Sequence, residues 1–75
     1  MNTFDRKVIQ NIKRYISENN LSIKKIANET KISYHRLWSI LEQSNSIKLS
    51  DYIAICKACR EDFDFFFPKE YFDFD

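Results

Sequence analysis

The stretch that decides the fold runs from Ile23 to Glu42 and reads IKKIANETKISYHRLWSILE. Ile26 and Ala27 fall in one helical segment, Ile32 in a short break, and Leu37 and Ile40 in a second segment, where a spacing of three points both to one side. A small side chain at Ala27 lets the second helix approach the first closely, and Ile32 plugs the corner between them. Ser22 and Ser33 stand where helix N-caps are expected, which bounds the segments at about Ile23 to Thr30 and Tyr34 to Glu42. The pattern predicts two crossed helices joined by a tight turn, the spacing of a helix-turn-helix.

The segments on either side are helical as well. From Asp5 to Asn19 the residues Val8, Ile9, Ile12, Tyr15 and Ile16 recur at three and four, which gives an amphipathic helix with Lys13 and Arg14 turned outward and Asn19 and Asn20 at its end. A polar stretch, Gln43 to Ile47, leads to a further helix that starts at or near Ser50 and runs to about Arg60. Its inward set is expected to be Ile53 and Cys56, joined by Tyr52 and Cys59. Asp62 is placed to cap a last short helix, DFDFFF, which Pro68 closes because the residue before a proline is biased out of helical geometry. No segment alternates at a period of two between turn signals, apart from the brief tail YFDFD.

Seventy-five residues suffice for one domain, and a chain of this size buries only about 60% of the surface it exposes when unfolded. The expected organisation is a helical domain over residues 1–67 and an aromatic, acidic tail over 68–75. No apolar run approaches the ~20 residues of a membrane span, and the N-terminal residues lack the apolar core of a secretion signal, so a cytoplasmic location is expected. The formal charge of +1 conceals an asymmetry. Residues 1–48 hold nine Lys and Arg against four acids, and the remainder holds three against seven. The basic portion contains the two-helix segment, a distribution that attracts a polyanion to that end, although solvated faces of a small protein produce the same numbers.

Taken over roughly Val8 to Phe67, the chain resembles the Cro and phage-repressor (XRE-like) helix-turn-helix family. NIKRYISENNLS, from Asn11 to Ser22, is similar to the family's first helix and the loop after it, and SDYIAICKACREDFDFFF, from Ser50 to Phe67, to its fourth and short fifth helices. The resemblance implies an all-α, lambda-repressor-like domain of five helices with the helix-turn-helix at the second and third. It also implies a sequence-specific transcription regulator that lays the helix of residues 33–42 in the major groove of double-stranded DNA and binds as a homodimer, without cofactor or metal. Two positions depart from the family pattern: Lys31 stands where the turn usually carries glycine, and Arg60 where a second glycine often follows the fourth helix. Left-handed backbone costs a lysine or arginine about 1 kcal/mol or more, so either the turns differ in shape or packing absorbs the strain.

Carried over by position, the resemblance assigns base contacts to Tyr34, His35, Trp38, Ser39 and Glu42; Lys24, Lys25, Lys31 and Arg36, clustered around the motif, are expected to contact phosphates together with the hydroxyls of Ser22 and Ser33. With Leu37 and Ile40 inward, helical geometry alone leaves His35, Trp38, Ser39 and Glu42 on an outward stripe. The chemistry on that stripe is unusual, for it lacks the arginine–guanine or glutamine–adenine bidentate match. Tyr34 and Trp38, four apart, are equally suited to stack on one another, and His35 to be merely solvated.

Cys56 and Cys59 form a C-x-x-C. Zinc needs four ligands and the chain adds only His35 as a further soft one, a redox dithiol needs its first cysteine at a helix N-terminus, and a disulfide is foreign to a reducing cytosol; the pair is therefore read as core packing. No nucleophile, shared-proton carboxylate pair or phosphate loop accompanies the lone histidine, so an enzyme is not expected. Seven aromatic residues crowd the last thirteen positions, more than one small core absorbs. Phe65, Phe67, Tyr71, Phe72 and Phe74 are expected to form a dimer or partner interface. The same fold also serves as a protein-binding module, such as an antitoxin or a mobile-element inhibitor, in which Tyr34, His35 and Trp38 meet a protein instead of DNA.

Overall fold

The computed structural model describes residues 3–43 and 46–71. It is all-helical, with no strand among the described residues: α1 spans Thr3–Glu18, α2 Ile23–Thr30, α3 Tyr34–Gln43 and α4 Leu49–Cys59, and a single 3-10 turn covers Lys69–Tyr71. α2 packs against both α3 and α4, and α3 also meets α1. Val8, Ile9, Ile12 and Ile16 of α1, Ile26 and Ala27 of α2, Leu37, Ile40 and Leu41 of α3, and Tyr52, Ile55 and Cys56 of α4 converge on one core. The Ile23–Glu42 segment thus buries Ile26, Ala27, Leu37 and Ile40 as its spacing predicts, with Ile32 packed at the margin, and adds Leu41, which the spacing does not single out.

The caps follow from the residues named for them. The Ser22 hydroxyl accepts from the Lys25 N–H and the Ser33 hydroxyl from the Arg36 N–H, both at 3.2 Å, which satisfies a donor that each helix start leaves free. Three helices end in left-handed backbone without any glycine, at Asn20 (φ 53°), Lys31 (φ 65°) and Arg60 (φ 59°). After α1 and α4 the crossed pair of bonds that closes such an end is present: Leu21 N–H to Ile16 O and Asn20 N–H to Ser17 O, then Glu61 N–H to Cys56 O and Arg60 N–H to Lys57 O. The turn at Lys31 is held differently. The Thr30 hydroxyl donates to the Ile26 carbonyl at 2.8 Å and accepts from the Ile32 N–H at 3.2 Å, so a side chain supplies the link that backbone supplies elsewhere. The positions read as glycine sites keep glycine-like geometry, and local hydrogen bonding carries the strain.

Two expectations are corrected. Ile53 is exposed, because the buried set of α4 is Tyr52, Ile55 and Cys56, and Ile53 lies about 100° around the helix from Tyr52. The segment after α4 is not a fifth helix. It advances by tight turns, Phe65 N–H to Asp62 O and Phe67 N–H to Asp64 O, and reaches the 3-10 turn after Pro68. A six-residue helix repays little of its nucleation cost, and here ring packing sets the backbone. Phe66 is 1% exposed, its carbonyl accepts from Asn11 Nδ2 at 2.9 Å, and its ring meets Tyr15 and Tyr52 edge-on. The Tyr52 hydroxyl donates to the Phe63 carbonyl, and burial pushes its phenol well above the ordinary value. Tyr15 donates to Glu61 at 2.9 Å, an anchor that raises its own pKa, and Lys7 pairs with Glu70. The C-terminal segment is therefore a strap laid over α1 and α4.

Candidate functional site

The face of interest is built from α3 and the turn before it. With Leu37, Ile40 and Leu41 buried, helical periodicity leaves Tyr34 and Trp38 one turn apart on the outside, 43% and 40% exposed. His35 is exposed beside them. Tyr34 and Trp38 do not form the stacked pair considered from sequence; the Tyr34 ring meets His35 edge-on instead, centroids 5.9 Å apart. The described part of the strap makes its ring contacts with α1 and α4, at Phe4, Tyr15 and Tyr52, and leaves this ridge open.

Two charged residues expected to meet DNA, Arg36 at a phosphate and Glu42 at a base, are already engaged. Arg36 forms an ion pair with Asp51, whose carboxylate also accepts the Lys48 N–H at 3.2 Å at the start of α4. The Asp51 side chain is 12% exposed and that of Arg36 41%, so the guanidinium lies along the protein with only part of its surface in solvent. Glu42, placed at the far edge of the reading face, is bound by Lys13 of α1 at 3.0 Å. Ser39 is half-buried and already engaged within the molecule.

The remaining cations are placed differently. Lys24 and Lys25 lie in the first turn of α2 and Lys31 in the left-handed turn before α3, all exposed and without an ion pair among the described residues. The two sites are separated by the length of α2, about 10 Å. The capping hydroxyls of Ser22 and Ser33 accept from backbone, which leaves each O–H free to donate outward.

At the other end, Phe65 and Tyr71 of the expected interface are about half exposed, whereas Phe67 stacks on Tyr52 with centroids 5.6 Å apart and is half-buried. Phe67 is in this respect a packing residue, drawn in by Tyr52, Phe4 and Phe63. Phe72 and Phe74 lie outside the described residues. Cys56 is buried with its Sγ 3.9 Å from the Phe63 carbonyl, and Cys59 is half-buried; burial pushes both thiols up, Cys59 to about 11, which keeps them protonated and unreactive near neutrality. Among the described residues no group of three metal-ligating side chains converges, and no helix is long and apolar enough to cross a membrane.

Asp51 is the residue that sequence reading missed. An acid in the first turn of a helix is a legible capping signal, but its partner fifteen positions earlier is fixed only by how α3 and α4 meet. No protein-family model matches the chain, no curated protein matches it significantly, and no solved structure does so either.

Proposed function

We propose that this chain is a sequence-specific DNA-binding regulator of the Cro and phage-repressor type, in which α2 and α3 act as a helix-turn-helix and α3 enters the major groove of double-stranded DNA. The observation that carries the reading is the open ridge of Tyr34, His35 and Trp38, accompanied by three exposed lysines on α2 and its turn that have no ion pair among the described residues. Lys24, Lys25 and Lys31 supply phosphate contacts with Ser22 and Ser33, and the ridge supplies contact with base edges. A homodimer held through Phe65 and Tyr71 would present two such ridges to a palindromic site, in a cytoplasmic protein without catalytic activity.

The test is selection from a random duplex pool followed by salt titration of the enriched sequence. The expected result is a short motif, with Lys25→Ala weakening every sequence alike and lowering the log–log salt slope by about 0.9. A second reading, a protein-binding module, is favoured by one observation: Arg36 and Glu42 are engaged internally, which leaves the ridge aromatic in character, as protein interfaces are. Failure to enrich any duplex at low salt would leave that second reading standing alone.

A further inference from the structure

We infer that α3 discriminates bases chiefly through thymine 5-methyl groups rather than through a hydrogen-bond pattern, an inference that rests on the DNA reading above. The ridge has few groups left to offer a base edge. The guanidinium of Arg36, the one group on α3 able to match guanine O6 and N7 together, is held by Asp51. The carboxylate of Glu42, which would accept from a cytosine amino group, is held by Lys13.

What remains outward in the first two turns is Tyr34, His35 and Trp38. Their polar atoms are single donors or acceptors: one phenol O–H, one indole N–H, and an imidazole whose ring already leans on Tyr34. One hydrogen bond separates base pairs poorly, because several edges in the major groove offer an acceptor. The flat apolar faces of Trp38 and Tyr34 do separate them. Thymine alone among the four bases places a methyl group in that groove, and it marks both the identity and the orientation of an A·T pair.

The occupant is duplex DNA rather than a protein because the surroundings of the ridge are cationic. Lys24, Lys25 and Lys31 are exposed without partners among the described residues, while the chain's acidic excess follows Lys48. Covering one methyl group corresponds to about a 4-fold change in affinity, so two methyls met by the two rings correspond to roughly 15-fold.

The experiment takes the duplex enriched from the random pool and replaces thymine by uracil, first throughout and then one position at a time, with affinity read by fluorescence anisotropy. Uracil is expected to weaken binding about 4-fold at each of one or two positions and to have little effect elsewhere. Trp38→Ala and Tyr34→Ala, at exposed positions where the thermal melt is expected to stay unchanged, should each erase the difference at one position. Lys25→Ala should weaken the thymine and uracil duplexes equally. Equal affinity for the two duplexes, or a difference that survives both ring deletions, overturns the inference and leaves the DNA reading intact. A pool from which nothing enriches overturns both.

Discussion

The strap after α4 and the ridge of α3 are the two places where aromatic residues gather, and they use them in opposite ways. In the strap each ring has others against it: Phe63, Phe66 and Phe67 surround Tyr52, Phe65 and Phe66 flank Tyr15, and Phe4 is held between Phe67 and Tyr71. Among the described residues the one ring contact on α3 is that of Tyr34 with its neighbour His35, and Trp38 keeps part of its ring exposed. Residue type does not explain the contrast. The strap crosses two helices that present Tyr15 and Tyr52 to receive it, whereas the outer face of α3 has no further layer of described protein over it. Aromatic content alone therefore says nothing about function until it is known which rings have a layer behind them.

The sharpest test of this contrast is stability. Phe66→Ala removes the largest fully buried side chain and should cost about 3–5 kcal/mol, a large share of the ~5–15 kcal/mol available to a domain, while Trp38→Ala should stay within about 0.5 kcal/mol. Urea denaturation of the two variants reads both numbers, and comparable losses would erase the distinction. Asp51→Ala is expected to cost roughly 1–3 kcal/mol, between a buried and a surface pair, since it leaves Arg36 unpaired while Arg36 keeps access to water. For any duplex that binds, Arg36→Ala should leave the salt slope unchanged, and a drop of ~0.9 would mean that Arg36 reaches a phosphate after all.

Smaller effects refine the picture. Lys31→Gly relieves left-handed strain of about 1 kcal/mol and returns part of it through a more flexible unfolded chain, for a net gain near 0.5 kcal/mol and a rise in melting temperature of roughly 2–4 °C. A fall would show that the lysine side chain contributes packing that glycine lacks. The smallest effect belongs to the surface pair of Lys7 and Glu70, whose side chains are 38% and 59% exposed. The bond to Lys7 lowers the Glu70 pKa, so its stabilisation is present above the ordinary value of 4.5 and disappears as the pH falls through the lowered value. The bond to Glu70 raises the Lys7 pKa, so the same contact fades in alkali, above 10.5. Glu70→Gln should flatten the acid limb of a melting-temperature profile, and an unchanged limb would show that the ion pair contributes nothing in solution.

How much of this could be read from the chain depends on the range of the interactions involved. Caps at Ser22 and Ser33 and the inward positions Leu37 and Ile40 are set within a few residues, and sequence places them correctly, whereas for Lys31 and Arg60 sequence leaves two turn shapes open and the structure shows the left-handed one. The register of α4 was misread at Ile53 because apolar residues occupy more than one face of that helix, so periodicity does not choose among them. The path of the strap is not legible because its backbone obeys Asn11 and Tyr15 of α1 and Tyr52 of α4, two helices distant from one another in the chain. For the same reason the reading ridge was legible as a stripe but not in its charge. Lys13 engages Glu42 on it and Asp51 engages Arg36 beside it, and neither pairing is visible without the packing of α4 and α1 on α3.

The position of Phe66 also bears on how the protein is made. During synthesis the ring that fits between Tyr15 and Tyr52 is joined only after all four helices have been polymerised, and until then the nascent helices lack the wedge that completes their interior. A chain cut short before this phenylalanine would leave a loosely assembled bundle for cellular proteases to remove.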